Sequence, residues 1–368
     1  MLRYGPVDDR VWAAIGKMYL FSESKGIATT VIEVYPGAHG TGTVQQEFLK
    51  AMMLGISSTD GLTPLKQELA ERTIAHFYDC YTLREAPTTE CNFCFDSLMR
   101  KPPARVQKST VQNSSTRYFG AGKALPALRK MIQDIQIQNA LPSNINLGGA
   151  YDVELVLSVL QHLARYWSDH PPARSSERRM TASRMTVVHG FQDMIRNHAP
   201  EQDAISLDFH MLDGNESWIV ENVSAGGFGA IIPHVKGDWV KVGSLLGVQT
   251  ETAKFWGAGV VRRITRDEHQ QLRVGIQALS STAIPVNLSP HGSISSFNAA
   301  RGGDTALLLS TTPDKSGEVE MLLRAGSYSS KHGMEMNVHG KQYYLMPSKL
   351  TEGGEDFDWA RFKVMQRT

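Results

Sequence analysis

The sequence predicts an α+β multidomain protein, with a mostly helical N-terminal domain, an antiparallel β-barrel in the middle and a second, C-terminal β-domain. A length of 368 residues allows two or three domains of about 150 residues, each with its own core. Apolar residues recur at helical spacing in the first 170 residues. Beyond them, short segments rich in Val and Ile alternate with Gly, Asp and Asn, which is typical of strands and turns.

Helices are expected before residue 170 wherever apolar residues fall on one face. Thr63 is a candidate N-cap with Pro64 at the first helical position, and Asp152 is a candidate N-cap for the broadest apolar stripe. Residues 28–35 resemble a strand. The helices are predicted at residues 44–56, 63–80, 123–139 and 152–168.

A change of composition at residues 169–184 indicates a domain boundary. Pro-Pro and paired serines stop the preceding helix, and the next strand is expected to start at Met185. The Ser-, Asn- and Gly-rich interval 287–304 favours a separate unit after the barrel, with one larger sandwich as the alternative. The expected divisions are residues 1–170, an Arg-rich linker at 171–184, the barrel at 185–285 and the C-terminal β-domain at 286–368.

Strands are predicted from apolar and β-branched runs that end at turn residues. In the barrel they cover residues 204–211, 217–223, 228–233, 239–249, 258–264 and 272–279. In the C-terminal domain they cover residues 306–310, 318–325, 334–338, 341–346 and 358–364.

The charge balance argues against two classes of partner. Lys and Arg number 38 against 37 for Asp and Glu, and a net charge of +1 produces no field that attracts a nucleic acid polymer or an anionic membrane. The N-terminus has no signal-peptide pattern. The sequence also contains no run of about 18 apolar residues, the length that a membrane-spanning helix needs. Three cysteines agree with a reducing compartment. We therefore expect a cytoplasmic protein.

The densest positive patch in the sequence is a group of four arginines within eleven residues, Arg174, Arg178, Arg179 and Arg184, with Glu177 as the one acidic neighbour. The planar guanidinium donates two parallel hydrogen bonds to a phosphate or to the O6/N7 edge of guanine, and it stacks on a base. The group therefore indicates a nucleotide or phosphate ligand. The alternative is a solvated linker that binds nothing.

A second candidate site lies in the stretch WIVENVSAGGFGAIIP at residues 218–233, which predicts two strands joined by a polar, glycine-rich turn. Asn222, Ser224, Gly226 and Gly227 meet at this turn. Tight turns use these residue types without any ligand, because Asn and Gly tolerate positive φ and Ser bonds to nearby backbone. The other interpretation is a ligand held close to the turn.

The arginine group followed by Asn222-Val-Ser224-Ala-Gly-Gly227 resembles the PilZ domain. This small bacterial barrel binds cyclic di-GMP, a ring of two guanosines joined by two phosphates, through Arg-x-x-x-Arg before the first strand and Asp/Asn-x-Ser-x-x-Gly between later strands. Further similarity lies in GDWVKVGSLLGVQTE, WGAGVVRRI and LRVGIQAL downstream. The resemblance covers about residues 175–282.

The arginine spacing departs from that pattern. If the first strand starts directly after Arg184, strict spacing puts the first arginine position at Met180, which cannot bind phosphate. A one-residue bulge would substitute Arg179. The alternative pair with the correct spacing is Arg174 and Arg178, further from the strand.

The resemblance implies a cyclic di-GMP receptor that reorients its domains and signals to a protein partner, in control of motility, surface attachment and biofilm, or virulence. The arginines would close over the phosphates and guanine faces, Asn222 and Ser224 would bond the base or sugar-phosphate edge, and Gly227 would let the backbone approach the ligand. The implied ligand-binding residues are Arg174, Arg178, Arg179, Arg184, Asn222, Ser224 and Gly227. The alternative is a PilZ-like scaffold that contacts proteins without binding a nucleotide.

Neither an enzyme nor a metal protein is expected. No His-Glu-x-x-His or Gly-x-Ser-x-Gly pattern and no carboxylate pair is evident, and no cofactor motif is complete. Cys91 and Cys94, with Cys80 and His76, could supply four zinc ligands. A structural zinc site normally shows two paired-ligand motifs, so unliganded thiols are the preferred interpretation.

Overall fold

The computed structural model describes residues 7–33, 40–108, 110, 112–170, 177–198, 215–234, 237–267, 271–290, 304–338 and 341–366. The chain divides into two compact units, residues 1–174 and 175–368. Each unit is described by itself below.

Four of the five helices described in the first unit begin at a residue whose side chain accepts a hydrogen bond from a free backbone N–H group. Thr43 and Gln46 form a reciprocal capping box at the start of α2, and Asp152 accepts two backbone N–H bonds at the start of α5. All four predicted helices are confirmed within a few residues, and α1 is an additional helix. The helices are α1 (Asp9–Ser24), α2 (Val44–Ile56), α3 (Pro64–His76), α4 (Ala124–Gln138) and α5 (Val153–Trp167).

The first unit also contains strands, so the expectation of a mostly helical domain is only partly correct. A ribbon is formed by β1 (Ile32–Glu33) and β2 (Thr41–Gly42), and a four-stranded antiparallel sheet has the order β3-β6-β4-β5. The sheet strands are β3 (Thr82–Arg84), β4 (Phe93–Asp96), β5 (Ala104–Arg105) and β6 (Thr116–Gly120). Runs of two to five residues are too short to show a period of two, which is why the sequence did not predict them.

The helices and the sheet share one core. Phe93 of β4 stacks on Phe119 of β6 with ring centroids 5.6 Å apart. Trp167, at the end of α5, is fully buried and donates its indole N–H to the Ser57 hydroxyl at 2.9 Å. The broad stripe that predicted α5 is therefore the face that packs on this core.

A closed, six-stranded antiparallel barrel begins the second unit, in the order β10-β11-β12-β9-β8-β7. Met185 and Trp218, paired across β7 and β8, are fully buried inside it. Helix α6 (Gly190–His198) follows β7. The strands are β7 (Arg179–His189), β8 (Glu216–Ser224), β9 (Gly227–Ile232), β10 (Leu245–Thr250), β11 (Gly257–Arg266) and β12 (Leu272–Ser280).

Two predictions for this barrel need correction. The strand expected at 239–249 begins at Leu245, because a turn with Gly243 at φ +94° precedes it. The first strand begins at Arg179, six residues before the expected start at Met185, so six of the fourteen residues interpreted as a linker are strand. The strand predicted at 204–211 lies outside the described residues.

A second closed antiparallel barrel follows, in the order β13-β14-β15-β18-β17-β16. Its first strand starts at Ile284 and its second at Asp304, so the interval 287–304 lies in sequence between two strands of this barrel and not before it. The strands are β13 (Ile284–Pro290), β14 (Asp304–Leu308), β15 (Glu318–Arg324), β16 (Met334–Val338), β17 (Lys341–Gly353) and β18 (Phe357–Gln366).

The two barrels are packed on each other within the second unit. Phe191 and Met194 of α6 share a buried apolar cluster with Leu307, Leu322 and Phe357 of the second barrel. Such a shared core opposes free rotation of one barrel against the other.

Polar contacts join the barrels as well. The Arg262 guanidinium makes two bonds of 2.6 Å to the Glu352 carboxylate, and the Phe191 N–H donates to Asp356 Oδ2 at 2.7 Å. The C-terminal β-region is therefore a closed barrel of its own that is also packed on the first barrel.

Candidate functional site

The glycine-rich turn is a tight hairpin between β8 and β9, as the sequence predicted. Ser224 pairs with Gly227, which leaves Ala225 and Gly226 as a two-residue loop. The Ser224 hydroxyl donates to the Gly227 carbonyl oxygen at 3.4 Å. The hairpin is thus closed by the serine that the sequence marked as a ligand contact.

Gly227 has a structural requirement of its own. Its φ is +147°, and a Cβ there would lie 1.9 Å from the Ile276 carbonyl oxygen of β12. Because that separation is far below any real contact, only glycine lets β9 pair with β12 at this point. The residue is explained by strand packing, and the side on which it lacks a Cβ faces β12.

Asn222 lies on the outer surface of the barrel because of a bulge. Val220 pairs with Ala230 and both are buried, whereas the register shifts by one residue at Glu221 and Asn222 then pairs with Gly229. Gly229 neighbours inward-facing Ala230, so by alternation it and Asn222 share the outer face. A Cβ on Gly229 would meet the Asn222 amide nitrogen at 2.6 Å, so the amide lies over bare backbone.

The arginines lie next to this hairpin. Arg179 pairs with Val223 and Met180 pairs with Asn222, so the beginning of β7 runs beside the second half of β8. A second bulge, between Met180 and Ser183, shifts the register further along the strand. Arg178 directly precedes the strand. Arg174 lies outside the described residues.

Side-chain direction separates the arginines of β7. Arg184 neighbours inward-facing Met185 and pairs with exposed Ile219, so it points outward. Met180, opposite Asn222, is 79% exposed on the same outer face. Arg179 neighbours Met180 and therefore leaves the strand on the opposite side.

Three guanidinium groups are available for a ligand. Arg178, Arg179 and Arg184 are exposed, and within the part of the chain that the structure describes none of the three has an ion pair or a side-chain hydrogen bond. The nearby Glu221 carboxylate is paired with Arg273 at 3.1 Å. The Glu221 charge is thus compensated, and Glu177 beside Arg178 and Arg179 leaves the local charge at the start of β7 positive.

Sequence reasoning missed Gly229 and the pairing partner of Met180. The two glycines at 227 and 229, two residues apart at the beginning of β9, were the available signal that little side chain covers the backbone there. The two bulges had no such signal, because a bulge is a property of paired strands.

The cysteine-containing region shows no metal site. Cys80, Cys91 and Cys94 are free thiols, and among the described residues no group of three or more His, Cys, Asp and Glu side chains could hold a metal ion. A helix long and apolar enough to cross a membrane is likewise not found in the described part of the chain.

Comparison with protein families gives two matches. Residues 1–87 match the family model described as the N-terminal domain of the cyclic-di-GMP receptor FimW, and residues 213–285 match the model described as that receptor's middle PilZ domain. The second match runs from before β8 into β13, so β7 with its arginines lies outside it. No curated protein matches the chain.

Proposed function

Since the middle of this chain belongs to the PilZ family, we propose that the protein is a cyclic di-GMP receptor that binds the dinucleotide on the outer face of β7, β8 and β9. The observation that carries the proposal is the register of β7 and β8, in which Met180 pairs with Asn222. This register supports a single surface that combines the arginines with the Asn-x-Ser-x-x-Gly hairpin.

The proposed contacts follow from the chemistry of the ligand. Cyclic di-GMP carries two phosphates and two guanine faces, and exposed guanidinium groups form charge-assisted, forked bonds to phosphates and stack on bases. Arg184 points outward beside the hairpin and Arg178 precedes the strand, so we assign both to the ligand. Asn222 would bond the sugar-phosphate or base edge from its place over Gly229.

Arg179 and Arg174 have different roles in the proposal. Arg179 leaves the strand on the side away from Met180, so it serves the ligand from the end of the barrel and not from its outer face. Arg174 precedes the strand in sequence and is retained as a further phosphate ligand.

The proposed signal depends on the chain segment that connects the two compact units. The two barrels have a common core, whereas residues 171–178 connect the two compact units. A ligand that immobilises Arg178 would restrict this connection, and it shifts the domain equilibrium only if it binds one arrangement more tightly. We propose that a protein partner reads this change in the cytoplasm, in control of motility or surface attachment as the family resemblance suggests.

Titration calorimetry with cyclic di-GMP on the full chain tests the proposal. Arg178→Ala, Arg184→Ala and Asn222→Ala should each weaken binding by about tenfold or more, as expected for lost hydrogen bonds to a charged group. Arg196→Ala, at an exposed arginine on α6 that is paired with Asp193, is the matched control and should bind normally. Binding that survives all three substitutions would move the site elsewhere.

A second function has one observation in its favour. Met180, opposite Asn222 on the outer face of the barrel, is apolar and cannot donate to a phosphate. A barrel that has lost its ligand would act as a scaffold for protein contacts. Absence of any heat with the unmodified chain at high micromolar cyclic di-GMP would favour this scaffold over the receptor.

A further inference from the structure

The second barrel contains a cavity that the proposed nucleotide site does not use. It has a volume of about 320 Å³ and lies at the end of the barrel where β13 finishes and β14 begins. Six of the residues that line it carry the argument: Leu288, Leu323, Met334, Asp304, Arg324 and His332.

A gap between two strands opens this cavity. β14 and β15 pair only at Leu307 with Leu322 and at Leu308 with Met321. Residues 304–306 and 323–324 are all described, and no pairing joins them, although β14 pairs fully with β13 and β15 pairs fully with β18. The Arg324 carbonyl oxygen beside this gap accepts the Ser327 N–H at 3.0 Å, so the turn after β15 uses this acceptor instead of the ladder to β14.

The lining divides into an apolar floor and a charged rim. Leu288 and Leu323 are buried and form the floor, together with Met334. Arg324 is exposed at the rim, and its guanidinium has no ion pair or hydrogen bond to any other described residue. The Nδ1 of His332 lies 3.1 Å from the Ser329 hydroxyl, so the Nε2 is the ring nitrogen that can contact a ligand.

We propose that this cavity binds a small organic acid with a branched apolar tail. Its carboxylate is held by the Arg324 fork, its tail lies on Leu288, Leu323 and Met334, and Asp304 accepts a bond from an amino or hydroxyl group next to the carboxylate. The volume equals about ten water molecules at ~30 Å³ each. A molecule of on the order of ten non-hydrogen atoms therefore fits, and a cyclic dinucleotide does not.

Methyl NMR on the full chain tests the proposal, because Met334 lines the cavity. The protein is labelled with [13C-methyl]methionine, and the Met334 resonance is assigned by Met334→Leu. The probes are 4-methylpentanoate, L-leucine and 4-methylpentanamide, titrated into the millimolar range. We expect the Met334 methyl to shift with the two acids and the neutral amide to bind about tenfold more weakly, since it lacks the charge for Arg324.

Two variants make the result decisive. Arg324→Gln should remove the preference for the acid over the amide, and Asp304→Asn should remove the preference for L-leucine over 4-methylpentanoate. The proposal is overturned if none of the probes shifts Met334 in the unmodified chain, or if Arg324→Gln binds the acid as the unmodified chain does. Cyclic di-GMP titrations should be unchanged in both variants, so failure here is distinct from failure of the nucleotide site.

Discussion

Met180 and Asn222 lie directly opposite each other in the β7–β8 pair, both on the outer face of the middle barrel. An apolar, 79% exposed side chain thus occupies the position next to the asparagine of the hairpin. It is not the family's arginine position, because β7 starts at Arg179 and the pair with the family spacing directly before the strand is Arg174 and Arg178, but a side chain here lies within the proposed ligand surface.

Met180→Arg should therefore strengthen cyclic di-GMP binding by about tenfold, because a guanidinium there adds charge-assisted bonds beside Asn222. Calorimetry on the full chain measures the gain. Met180→Leu is the control and should bind as the unmodified chain does. An unchanged affinity in the arginine variant would mean that the ligand does not reach this part of β7.

Gly227→Ala should lower the free energy of unfolding of the barrel by about 2 kcal/mol or more, since the added Cβ would overlap the Ile276 carbonyl oxygen and force β9 away from β12. Urea unfolding followed by tryptophan fluorescence measures the change. Gly275→Ala on β12 is the matched control, because the nearest atom to its added Cβ is 3.4 Å away, an ordinary contact. Equal stability of the two variants would contradict the packing explanation of Gly227.

Phe191→Ala should destabilise both barrels together by about 3 kcal/mol or more, because Phe191 is buried in the core that they share. Hydrogen exchange followed by mass spectrometry should then show faster exchange in β10 of the first barrel and β15 of the second. Gln192→Ala, exposed on the same helix, should leave both strands protected. Faster exchange confined to one barrel would show that the two unfold separately.

The stability of the first unit should fall in mild acid because of His162. Burial lowers the pKa of this imidazole below its ordinary value of 6.5, although the bond of its Nε2 to the Ser57 carbonyl oxygen, at 2.7 Å, opposes the shift. The neutral form is therefore favoured in the folded state. Its contribution is complete above the unfolded pKa and is lost as the pH falls through the folded pKa.

His162→Gln tests this pH dependence. Urea unfolding of the first unit, measured from pH 7 down to pH 5 at about half-unit steps, should depend less on pH in the variant than in the unmodified chain. If the free energy of unfolding falls equally with pH in the variant and in the unmodified chain, groups other than His162 cause the acid sensitivity.

The sequence predicted the residues of the candidate site but not the pairing of β7 that brings them together. The arginines were found because their spacing is visible in the sequence, and the hairpin was found because Asn, Ser and Gly have local turn preferences. Their adjacency depends on which strand pairs with β7 and on bulges after Met180 and at Glu221. Pairing and bulges join residues far apart in the chain, so no local pattern encodes them.

The sequence by itself determined the types of most elements, because helical periodicity, N-caps at Thr63 and Asp152 and the glycine turn at 225–226 are decided by neighbouring residues. Only the tertiary structure decided the sheet of the first unit, the closure of both barrels and their shared core at Phe191. These features depend on contacts between distant segments, whose burial outweighs weak local preferences.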